Sequence, residues 1–121
     1  MRDHRKLRAF DLADALVLQV YRVTQRFPKD EQFGLTSQLR RAAVSIASNI
    51  VEGCARSSEI EYLRFLDIAY GSLKEVEYQL DLSNRLGYLE PDINLELERH
   101  CNETGKVLNG LIRALRSKRT T

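Results

Sequence analysis

Eight cationic side chains gather at the two ends of this 121-residue sequence: Arg2, Arg5, Lys6 and Arg8 among the first eight residues, and Arg113, Arg116, Lys118 and Arg119 among the last nine. Asp3 is the one acid among them, so the ends carry +7 while the whole chain carries only +2, leaving −5 on the body between them. Basic termini on an acidic body suit contact with a polyanion, because phosphates exchange condensed counterions for Lys and Arg. For either tail alone there is a simpler reading, in which cations near a helix C-terminus stabilise its dipole and keep a frayed end soluble.

A second group lies inside the chain. Gln38, Arg41, Ser45, Asn49 and Glu52 recur every three or four residues, a polar row at helical pitch with Arg40 beside it. An arginine shielded from water needs a carboxylate to offset its desolvation, and the expected partner for Arg40 or Arg41 is Glu75. Gln38, Arg40, Arg41, Ser45, Asn49, Glu52 and Glu75 are therefore expected to form a structural polar network, inside the fold or at a subunit contact. A solvated face and a small-molecule or catalytic site are the alternatives.

Signatures of catalysis are sparse. Only His4 and His100 are present and neither has a Glu three residues before it, so the Glu-x-x-His pattern of a di-iron bundle is missing. His100 and Cys101 supply at most two adjacent ligands, short of a zinc site. There is no glycine-rich phosphate loop, GxSxG elbow or HExxH motif. The expectation is a protein that is no enzyme, with no metal site and no cofactor.

The elements that must position these groups read as helices. Ala13, Leu16, Val17, Val20, Tyr21, Thr24 and Phe27 mark one face of a helix over about 9–26, stopped at Pro28. Leu35, Leu39, Ala42, Ala43, Ile46 and Ile50 mark a second over 35–54, with Gly53 as its terminator or bend. Ser58 and Glu61 have the spacing of a capping box, and the stripe Tyr62, Leu66, Ala69, Leu73, Val76 and Leu80 carries a third helix over 59–86. Pro91 suits a first helical turn; Ile93, Leu97, Cys101, Thr104, Leu108, Leu111 and Leu115 then mark a fourth over 91–117. Ala42, Ala43, Ser45, Ala47 and Ser48 on the second helix and Ala69, Gly71 and Ser72 on the third are expected to let those two pack closely.

Residues 1–121 thus read as a single all-α domain, an antiparallel up-down-up-down four-helix bundle with basic N- and C-terminal tails. In that topology the chain's two ends share one pole, so the two basic clusters add. With 43% hydrophobic residues, 30% charged, 6 Gly and 2 Pro, neither disorder nor a many-stranded fold fits. Cys54 and Cys101 stand far apart, which fits a reducing cytoplasm. No apolar run follows the basic N-terminus and no window approaches a membrane span, so a soluble cytoplasmic protein without membrane partners is expected.

The stretch FPKDEQFGLTSQLRRAAVSIASNIVEG over 27–53, followed by Arg56-Ser57-Ser58 and by EYLRFLDIAYGSLKEVEYQL over 61–80, resembles the four-helix-bundle family of 23S rRNA intervening-sequence proteins. That resemblance implies a bacterial cytoplasmic protein assembling as a homopentamer. It also implies kinship with the accessory variability determinant of diversity-generating retroelements, which binds nucleic acid and a reverse transcriptase through basic surface. Helix 1 lacks the Trp that members often carry. The leading expectation is a non-enzymatic oligomer binding RNA or DNA nonspecifically through Arg2, Arg5, Lys6, Arg8, Arg113, Arg116, Lys118 and Arg119. The alternative is a protein-interaction scaffold or accessory factor, for example for a reverse transcriptase, with no direct nucleic-acid role.

Overall fold

In the computed structural model, which describes residues 2–120, the chain forms α1 (Arg8–Thr24), α2 (Leu35–Cys54), α3 (Glu59–Arg85) and α4 (Pro91–Thr120), with short 3-10 turns at His4–Lys6 and Lys29–Glu31. Strands are absent among the described residues. Each helix packs on its two neighbours around the ring, α1 on α2, α2 on α3, α3 on α4 and α4 on α1, and the backbones of the diagonal pairs stay apart. This is the antiparallel four-helix bundle expected from the apolar stripes.

Local chemistry sets the boundaries. α1 stops at Thr24, two residues before its expected end. The Thr24 hydroxyl donates to the carbonyls of Val20 and Tyr21, and the next three amides tighten to i−3 bonds ahead of Pro28. α3 opens at Ser58, whose Oγ accepts from the Glu61 N–H at 3.1 Å. Only this half of the capping box forms, since the Glu61 carboxylate turns instead to Arg64. α3 closes in a Schellman motif: Gly87, at φ 82°, donates to Asn84, and the Tyr88 N–H reaches the Ser83 carbonyl. α4 starts at Pro91 as expected and runs three residues past 117.

The core is built from Leu16 and Val20 of α1, Leu39, Ile46 and Ile50 of α2, Leu66, Leu73 and Val76 of α3, and Leu97, Leu108 and Ile112 of α4, all essentially inaccessible. Burial of each side chain contributes about 1.5–3 kcal/mol. The α2–α3 contact is the most extensive, and its glycine differs from expectation. α2 runs one residue past Gly53, to Cys54, with Ala55 as its C-cap. A Cβ at Gly53 would lie 3.0 Å from Phe65 Cβ and 3.3 Å from the Tyr62 carbonyl oxygen, so α3 packs directly against Gly53. Gly71 is exposed and a Cβ there would meet nothing within 4 Å. Its place in the α2–α3 contact is therefore corrected: Ala69 and Ser72 face inward and Gly71 faces away.

Candidate nucleic-acid interface

The antiparallel topology brings the end of α2, the start of α3 and the end of α4 to one pole, and the N-terminal segment folds over it. Arg2 Nη1 donates to the Arg56 carbonyl at 2.8 Å in the α2–α3 turn, while Arg116 on α4 pairs with Asp67 in the third turn of α3. Arg119 lines a shallow cleft with Ile60, Leu63, Arg64, Asp67 and Ile68. Arg2, Arg116 and Arg119 thus border the first turns of α3, Arg5 and Lys6 lie in the N-terminal 3-10 turn packed on α1 and α2, and Lys118 is exposed.

Arg8 and Arg113 sit lower on the bundle. Arg8 pairs with Glu103, thirteen residues before Arg116 on α4 and so about 20 Å along the axis at 1.5 Å per residue. Arg113 lines a groove on the α3–α4 flank with Tyr70, Lys74 and Lys106. The eight cations are therefore not one cluster: six lie toward the pole, Arg8 is set apart because α4 runs on from Glu103 to Thr120 well beyond the start of α1, and Arg113, about one turn before Arg116, lines the α3–α4 groove.

Acids of α3 join Asp3 at this pole. Asp3 accepts from Arg5 Nε at 3.0 Å and Arg5 Nη2 at 3.2 Å and caps the 3-10 turn. That side-chain bonding holds the Asp3 carboxyl below its ordinary range and raises the Arg5 guanidinium. Asp67 meets Arg116, Glu61 meets Arg64 at 3.6 Å, and Glu59 joins them in the first turn of α3. The positive field of the pole is weaker than the tails alone suggest. All these pairs are exposed; the Arg5 side chain keeps 79% of its surface, so the cations still face solvent.

Two cations that tail counting missed are Arg56 and Arg64. The signal for Arg56 lay in the Arg56-Ser57-Ser58 turn. Its guanidinium lies 4.7 Å over the Phe65 ring, and that of Arg2 lies 4.2 Å over Tyr62. Burial, followed by the hydrogen-bonded Cys54 thiol, pushes the Tyr62 phenol up to about 12, so it stays a neutral platform.

The polar row of α2 is half realised. Ser45 and Ser72 share a 2.8 Å hydrogen bond, and Asn49 Nδ2 donates to the Ser45 carbonyl and hydroxyl at 2.7 and 3.0 Å. Gln79 Nε2 reaches Gln38 Oε1 and Glu75 Oε2 at 3.4 and 3.3 Å. The expected pairing of Arg40 or Arg41 with Glu75 does not form. Arg40 lies two positions from Gln38, about 200° around the helix, and faces α1 instead. There its Nε donates to Thr24 Oγ1 at 2.9 Å and its Nη2 to the Tyr21 carbonyl. Arg41 Nε reaches only Ser37, at 3.4 Å, and Glu52 is exposed outside the network.

His100 bridges α4 to α1, with Nδ1 2.7 Å from Gln19 Oε1 and Nε2 3.0 Å from the Leu12 carbonyl oxygen. Among the described residues no group of three or more His, Cys, Asp or Glu is placed to hold a metal ion, and no helix is long and apolar enough to cross a membrane.

Comparison with known proteins agrees with this architecture. A family model described as 23S rRNA-intervening sequence protein matches residues 5–110. A crystal structure from Bacteroides thetaiotaomicron VPI-5482, described as a protein with unknown function from the S23 ribosomal protein family, superposes with a TM-score of 0.79. At 23% identity it covers 87% of this chain and 95% of its own. No curated protein matches the sequence.

Proposed function

The chain belongs to the family of 23S rRNA-intervening sequence proteins, and on that premise we propose that it is a non-enzymatic, oligomeric bundle that binds RNA or DNA without sequence preference through its basic pole. The reading is carried by one observation: the chain's two basic ends come together around the start of α3, joined to it through Arg2–Arg56 and Arg116–Asp67. Exposed guanidinium groups at one pole neutralise phosphates and release counterions, so affinity must fall steeply with salt. Base-specific readout is not part of the reading, because no helix presents a row of side chains to a groove.

Oligomerisation multiplies the effect. A homopentamer, the assembly that the family resemblance implies, would set five such poles on one rim and raise avidity without new contacts. Exposed Ile60 and Ile68 beside the pole, at 61% and 44% accessibility, offer apolar surface for a neighbouring chain. The same residues support a second reading, a scaffold that docks another protein.

The test is anisotropy titration of labelled single- and double-stranded RNA and DNA at increasing salt, with light scattering on the same sample. Salt-dependent binding by a particle about five times 14.0 kDa is the expected result. Absent or salt-insensitive binding removes the nucleic-acid reading, and a strict monomer removes the rim.

A further inference from the structure

Resting on that reading, we propose that the strand is gripped at the α2–α3 turn, where a backbone phosphodiester sits against Arg2, Arg56 and Ser57, rather than by the C-terminal tail. An open cleft of about 670 Å³ is lined by Arg2, Ala55, Arg56 and Ser57. What distinguishes it from the rest of the pole is a pair of cations that lack a carboxylate partner and are each seated on an aromatic ring. Arg5, Arg64 and Arg116 are each committed to an acid of this chain, as is Arg8 on the flank. Among the described residues neither Arg2 nor Arg56 has a carboxylate partner; each is held against an aromatic face instead.

Those faces pre-organise the site. Tyr62 and Phe65 stand three apart on α3 and so lie side by side on the helix surface. A guanidinium stacked on a ring keeps its in-plane N–H groups free for the two-pronged hydrogen bonding that phosphate oxygens accept. Arg2 uses one donor on the Arg56 carbonyl, which ties the N-terminal segment to the turn and leaves four of its five. Ser57 is exposed and adds a hydroxyl, while Ala55 leaves the floor of the cleft open. The charge comes from the arginines and not from the helix end. Ser58 already takes the Glu61 N–H, and Glu59 and Glu61 fill the first turn. A cleft at the opposite pole, lined by Arg22 and Arg26, has the Glu90 carboxylate in its wall.

The probe is fluorescein-labelled single-stranded oligouridine, titrated between about 50 and 200 mM salt. Losing two phosphate contacts in Arg2→Gln/Arg56→Gln should make the log–log salt slope shallower by about 1.4. Arg116→Gln/Arg119→Gln should change it less, and Arg2→Lys/Arg56→Lys, which keeps both charges, should retain most of the slope. If the Gln pair unfolds by circular dichroism, Arg56→Gln alone is expected to lower the slope by about 0.7. A wild-type slope in the Arg2/Arg56 variants, with a flattened one in Arg116→Gln/Arg119→Gln, overturns this site while leaving nucleic-acid binding intact. No salt-dependent binding by the wild type overturns both.

Discussion

Gly53 and Gly71 both lie within long helices, yet replacing each with Ala should change stability in opposite directions. In a helix interior Ala is favoured over Gly by about 0.5–1 kcal/mol. At Gly71 nothing lies within 4 Å of the added Cβ, so that full gain should appear. At Gly53 the new methyl would sit 3.0 Å from Phe65 Cβ, 3.2 Å from Tyr62 Cδ1 and 3.3 Å from the Tyr62 carbonyl oxygen. Two of those atoms belong to, or hang directly on, the α3 backbone and cannot swing aside. The helices must part by a few tenths of an ångström, and such overpacking costs about 1–3 kcal/mol. The net for Gly53→Ala is then a loss of up to about 2 kcal/mol. The same displacement pushes on the two rings beneath Arg2 and Arg56, so RNA affinity should fall with it. Urea unfolding followed by far-ultraviolet circular dichroism, at one fixed protein concentration, measures the difference. In melting temperature it amounts to roughly 3–6 °C per kcal/mol for a domain of this size. A Gly53→Ala variant as stable as Gly71→Ala would refute the close-approach argument. Destabilisation by Gly71→Ala would show that another chain occupies the space beside it.

Two further outcomes follow from the same geometry. Arg40→Ala removes a hydrogen bond to Thr24 and the cation over Tyr21, and should cost about 1–2 kcal/mol in urea titration. Arg41→Ala and Glu75→Ala, on exposed side chains with one long hydrogen bond each, should stay within about 0.5 kcal/mol. In alkali, burial of Cys101 pushes its thiol from 9.0 up to about 12, and burial, with the Cys54 thiol, pushes Tyr62 from 10.0 up to about 12. Both are neutral in the fold and ionise earlier in the unfolded chain, so their stabilisation is complete below about pH 9 and is lost as pH rises to 12. Chemical unfolding across that range should show the decline, at most on the order of 1.4 kcal/mol per pH unit from each group. Cys101→Ala should decline less steeply.

Helix periods, Pro28, Pro91 and the Ser58 cap were legible in the sequence because each is a local rule: a stripe every 3.6 residues, a missing N–H, a hydroxyl three residues before an amide. They placed four helices to within three residues and, through the up-down topology, put both basic ends at one pole. What tertiary structure alone decided is how far each helix overhangs its neighbour and which way each polar side chain turns. The overhang of α4 separated Arg8 from Arg116. The rotation of α2 sent Arg40 to α1 and left Glu75 to Gln79, while the rotation of α3 turned Gly71 outward and made Gly53 a point of close approach. Charge balance at the pole belongs to the same class. Glu59, Glu61 and Asp67 lie some fifty residues from either tail, and only folding sets them against the arginines and leaves Arg2 and Arg56 without a carboxylate. Periodicity reports the face that meets the core; pairing across helices depends on axial offset and azimuth, which are determined by packing over the whole bundle.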